Sequence, residues 1–114
     1  MDRKEERVIE RILQYANSIL DYSCNINTVE EMEKDSMLIE AICFDIIQIG
    51  ELVREGLSNE TKQNIRKVPW HQINGLRNRV VHGYNSIKLD VVFETIKKDV
   101  PELKEELENY MANN

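Results

Sequence analysis

MLIEAICFDIIQIGELV, residues 37–53, is the stretch that decides the fold class. Ile39, Ile42, Ile46, Ile49 and Val53 recur at steps of three and four, the period of an α-helix. Cys43, Ile47 and Leu52 widen that line into a broad apolar face, as in the central helix of a bundle. Upstream, Thr28 and Glu31 have the spacing of a capping box, and downstream Gly56 is a natural stop. One long helix is therefore predicted from Thr28 to about Leu57.

The same period continues on both sides. Val8, Ile12, Tyr15, Ile19 and Tyr22 form one stripe, and Ile9, Leu13, Ala16 and Leu20 a second beside it. These predict a helix from about Arg3 to Tyr22 that touches more than one neighbour. Ser58 to Lys67 reads as a short helix or turn. Pro69 suits the first position of a helix covering Trp70 to about His82, with Gly83 ending it. Leu89, Val92, Phe93 and Ile96 resume helical spacing. Pro101 either kinks that helix or begins a last one carrying Leu103, Leu107 and Tyr110. No strand alternation, internal repeat or linker intervenes. The prediction is an all-α, single-domain, up-down bundle of four to six helices spanning residues 1–114.

Composition narrows the class further. At 114 residues, 41% hydrophobic and 32% charged with 4 Gly and 2 Pro, the chain is neither fibrous nor highly charged and disordered. Cys24 and Cys43 are too few for a disulfide scaffold and lack metal-site spacing. No metal and no cofactor are expected. No apolar run approaches the roughly 18–20 residues that span a bilayer, and MDRKEERVIE is no signal peptide. A cytoplasmic protein without membrane contact is the expectation.

Net charge is −6, but its distribution is uneven. Thr61 to Lys88 contains no Asp or Glu yet holds Lys62, Arg66, Lys67, Arg77, Arg79 and Lys88. This window carries +6 and the other 86 residues −12. It is where an anion would bind, unless partner helices supply the missing carboxylates.

Within that window lies Arg77-Asn78-Arg79-Val80-Val81-His82-Gly83-Tyr84. At about 100° per helical residue, with Ile73 as zero, Leu76 and Val80 stay within about 60° and form the buried stripe. His82 then falls near 180° and Asn78 near 140°, while Arg79 lies on the flank and Arg77 at the core edge. An imidazole with an ordinary pKa of about 6.5 exchanges protons at neutral pH. An arginine offers a permanent fork of donors to phosphate. The pair suffices for RNA cleavage in which the 2′-OH attacks its own phosphate. Arg77 and His82 lie about 140° apart on one helix, so they converge poorly within one chain. A two-fold homodimer would bring two such pairs into a shared cleft.

Arg77-Asn78-x-x-x-His82-x-Tyr84 resembles the motif of the HEPN superfamily, and the chain is similar to its HepT-type toxins. The similarity extends through Ile49-Gly50-Glu51, Val68-Pro69-Trp70, Ile73-Asn74-Gly75-Leu76 and Val81-His82-Gly83-Tyr84 to Pro101-Glu102-Leu103. The resemblance implies a dimeric, metal-independent ribonuclease with Arg77 and His82 as catalytic pair and Asn78 in support. It also implies a minimal nucleotidyltransferase antitoxin of the MntA type, which adds AMP to Tyr84. Bulk and negative charge two residues from His82 would then exclude RNA.

Lys62, Arg66, Lys67 and Arg79 are the candidate RNA-backbone contacts. Trp70 reads as a packing anchor and His71 as a capping or exposed residue. A rival, non-enzymatic reading is a helical module that docks and positions a nucleotidyltransferase.

Overall fold

A computed structural model describes residues 2–83 and 88–113, and every described element is helical. Helix α1 (Arg3–Ser23) starts where the Asp2 carboxylate accepts the Lys4 backbone N–H at 2.7 Å. Its buried residues are Ile9, Ile12, Ala16, Ile19 and Ser23, a line drawn from both predicted stripes. Tyr22 is 50% exposed, so the outer stripe leaves the core at its last turn.

The long helix expected from Thr28 is interrupted. Thr28 does cap, accepting the Glu31 N–H at 3.1 Å, although the Glu31 carboxylate reaches back to the Asn27 N–H at 3.5 Å. Only five residues follow in α2 (Val29–Glu33) before the chain turns. Asp35, at φ −120° and ψ 85°, accepts the Leu38 N–H at 3.0 Å and starts α3 (Ser36–Gly56). An aspartate that satisfies an orphan N–H favours a new helix start over a continued helix. The break lets fully buried Met32 anchor α2 between α3 and α6 (Leu89–Glu94).

Helix α3 is central, as its sequence pattern requires. Ile42, Cys43, Ile46, Ile49 and Val53 are all buried, with α1 on one side and α5 (Trp70–Val81) on another. Buried Asp45 is the exception on that face. Its Oδ2 has no hydrogen-bond partner among the described residues, and burial pushes its carboxyl pKa up. The helices α1 and α3 run antiparallel and close. A Cβ on Gly56 would come within 2.7 Å of Val8 Cγ1. Glu5, at the start of α1, accepts the Ser58 N–H at 2.6 Å and the Thr61 hydroxyl at 3.0 Å.

Ser58 caps the short α4 (Asn59–Asn64) by accepting the Thr61 N–H at 3.1 Å. Trp70 is the anchor expected of it: its indole N–H is shared by the carbonyls of Lys62 (3.0 Å) and Ile65 (3.1 Å). Pro69 sits at the cap rather than at the first helical position, with ψ 74°, and its carbonyl accepts from Gln72 and Ile73. Gly83 ends α5 with φ +130°, a conformation side chains resist.

Of the two sequence alternatives for Pro101 the second holds, since it stands in the first turn of the last helix, but no break in the chain precedes that helix. Helix α6, a π-helical turn (Thr95–Asp99) and α7 (Val100–Ala112) follow without a gap. Pro101 offers no N–H to Lys97, and its ring crowds the carbonyl four residues back. A wider turn just before it accommodates both effects. Helix α7 packs along α1. Lys97 donates to the Ser23 carbonyl at 3.2 Å, fixing the π-turn to the end of α1. No helix among the described residues is long and apolar enough to cross a membrane.

Candidate functional site

The contact of α5 with α3 sets the site. Gly50 lies where a Cβ would collide with Cβ and Cγ of Arg77, so the arginine stem can cross α3 only over a glycine. Its guanidinium is then held from two sides. Nη2 pairs with the Glu51 carboxylate, and Nη1 donates to Asn78 Oδ1 at 2.8 Å. The Arg77 side chain is 16% exposed, and its Nε is buried without a partner. A fork pinned in this way has little rotamer freedom left to lose on meeting a phosphate.

One turn on, the Asn78 backbone carbonyl accepts the His82 backbone N–H at 3.1 Å, the ordinary bond of a helix end. His82 caps α5 and is exposed, and its ring makes no hydrogen bond with a described residue. Arg77 therefore faces α3 while His82 faces solvent at the helix end. The two do not meet within one chain, as their angular separation predicts.

The basic window does not form one surface. Lys62 lines a cavity of about 290 Å³ with Arg54, Trp70, His71 and Asn74. Arg66 and Lys67 border a different groove of about 510 Å³, which also holds Glu106 and Tyr110. Arg79 lines a third, of about 350 Å³, beside Asp99. Burial first, then Glu102 and Glu94, raise the Asp99 carboxyl pKa. Among the described residues the pair of Arg77 with Glu51 is the one ion pair, so the other cations of the window gain no carboxylate there. The Tyr84 expectation falls outside the described residues.

Sequence reasoning did not assign roles to Glu51 or Arg54. The available signal for Glu51 was its neighbour. A glycine inside a helix costs about 1 kcal/mol and calls for a close approach to explain it. Arg54 lies outside the carboxylate-free window and becomes visible only when α3, α4 and α5 are assembled. Among the described residues no three His, Cys, Asp or Glu side chains gather as a metal-holding group.

Comparison with known proteins identifies the family. The family model described as ribonuclease HepT-like matches residues 6–110. A protein of Caldanaerobacter subterraneus subsp. tengcongensis named "Putative RNase" is 31% identical over 103 residues, 90% of each chain. Another of that name from Methanocaldococcus jannaschii is 31% identical over 97 residues, covering 85% of this chain and 87% of its own. The protein named "Probable ribonuclease HepT" of Thermococcus cleftensis is 25% identical over 91 residues, covering 73% of this chain and 83% of its own. No solved structure matches the chain significantly. With its helical bundle, its pinned Arg77 and a family model matched over nearly its whole length, the chain belongs to the HepT-like ribonuclease family.

Proposed function

We propose that this chain is the toxin of a toxin–antitoxin pair, an endoribonuclease that needs no metal and acts at a cleft shared by two copies. The observation that carries the reading is the network Glu51–Arg77–Asn78, which holds the arginine fork, with the exposed His82 ring one helical turn beyond Asn78. His82 removes the proton from a ribose 2′-OH as its oxygen attacks the adjacent phosphorus. Arg77 stabilises the charge that builds on the phosphate oxygens. The bond to the 5′-oxygen breaks, and the His82 of a second copy protonates that oxygen. The products are a 2′,3′-cyclic phosphate and a 5′-hydroxyl.

Exposed side chains support the two-copy arrangement. Met37 is 80% and Phe44 57% exposed. They lie seven residues apart on α3, on the face that also carries Glu51 one heptad further on. A second copy covering this face would bring its own α5 towards Arg77. The nucleotidyltransferase partner and its transfer of AMP to Tyr84 rest on the family resemblance.

Expression in a bacterial host tests the proposal. The wild type should arrest growth, whereas His82→Ala or co-expression of the cognate nucleotidyltransferase should relieve it, with one AMP added to the wild type and none to Tyr84→Phe. Unhindered growth with the wild type alone, together with stable copurification of the nucleotidyltransferase, would move the assignment to a docking module.

A further inference from the structure

We infer that the cavity between α3, α4 and the start of α5 binds a phosphate of the RNA strand flanking the cut, an inference that rests on the ribonuclease reading above. Arg54, Lys62, Trp70, His71 and Asn74 form its walls over buried Val53, and it encloses about 290 Å³. Of the three concavities that share the basic window, it alone has no carboxylate in its wall. Glu106 lines the groove of Arg66 and Lys67, and Asp99 lines that of Arg79. Neither Arg54 nor Lys62 forms an ion pair with a described residue, so both charges remain available in a protein that is acidic overall. Two cations, an imidazole and an amide side chain around one hollow suit an anion with several acceptor oxygens.

The walls are also fixed. The Trp70 indole N–H is spent on the carbonyls of Lys62 and Ile65, which locks α4 against α5 and sets the Lys62 backbone at the rim. A wall whose backbone is fixed before the ligand arrives loses less entropy on binding.

Position links the cavity to the site. Asn74 precedes Asn78 by one turn on the same face of α5, and Arg54 follows Glu51 by three residues on α3. At about 1.5 Å per residue the cavity lies about 6–10 Å along α5 from Asn78. That distance corresponds to about two to three stacked nucleotides at about 3.4 Å each. One strand held at Arg77 is therefore long enough to reach Lys62 and Arg54, as strands do on cationic tracks beside aromatic walls.

Binding of a ten-nucleotide 2′-O-methyl RNA, which cannot be cleaved, to the full chain tests this by fluorescence anisotropy at several salt concentrations. Because the readout is binding, it separates this cavity from the chemistry at His82. Arg54→Gln and Lys62→Gln should each weaken binding roughly tenfold and reduce the salt slope by about 1. Lys62→Arg should restore most of the loss, and a 2′-O-methyl dinucleotide should bind wild type and variants alike. Equal binding of the ten-mer by wild type and both folded glutamine variants would overturn the assignment. So would AMP binding that drops in the same variants as strongly as the ten-mer does, because the cavity would then be a mononucleotide site. Tight, variant-sensitive binding by a wild type that cleaves no RNA would uphold the cavity while removing the ribonuclease reading. A wild type that binds no RNA would overturn both.

Discussion

Arg77 owes its position to two residues on another helix. Gly50 supplies the space and Glu51 the charge, and neither relation is visible along the sequence, where they stand 27 and 26 positions away. The candidate pair Arg77 and His82 stands out in the sequence because its spacing is local, within six residues at the end of α5. Gly50→Ala should therefore act through Arg77. The added methyl displaces the stem, costing about 1–3 kcal/mol of stability, and should lower RNA cleavage about 100-fold if the fork moves by about 1 Å. Thermal unfolding and cleavage rates on the same preparation check both effects, and unchanged cleavage would show that Arg77 does not depend on that fit. Asp45 is a second residue whose state the sequence concealed, since a carboxylate on an apolar helix face reads as a break in the pattern. Burial raises its pKa above 3.8, so the folded chain binds this proton more tightly than the unfolded chain does. Its contribution to stability is then greatest below 3.8 and declines as pH rises through the interval up to the folded value. Asp45→Asn should flatten that decline and raise stability at pH 7 by on the order of 1 kcal/mol. Urea unfolding at pH 3.5, 5 and 7 measures it, and an undiminished decline in the variant would assign the effect elsewhere.

At the level of helices, the apolar period located nearly every element, and local chemistry decided where each one stopped. Thr28 and Ser58 cap where their side chains suggest, and Gly83 ends α5 as expected. The errors arose where a polar side chain competes with a continuing pattern. Asp35 interrupts a run that hydrophobic spacing alone extends, and a π-turn that the apolar period does not signal precedes the last helix, which Pro101 opens as expected. Periodicity reports burial, and it does not report which N–H a carboxylate will satisfy. Asp35→Ala should remove the cap that separates α2 from α3 and cost about 1 kcal/mol, lowering the melting temperature by about 4 °C. Calorimetry of the variant checks this, and an unchanged melting temperature would mean that the break is held by Met32 packing alone.

Across the whole molecule, the acidic surface and the divided basic window belong together. The −12 carried outside residues 61–88 keeps RNA away from most of the bundle. The cations then face three separate concavities, a division that sequence could not show because it depends on which helix lies opposite each residue. In the proposed mechanism Arg77 and His82, turned to different sides of α5, act together with those of a second copy. The most direct test of this account is cleavage of a mixed RNA substrate by wild type and His82→Ala, in EDTA and at low salt. The account predicts cleavage by the wild type and at least about 100-fold less by the variant. Equal cleavage by both proteins, or none by a folded, dimeric wild type, would contradict it.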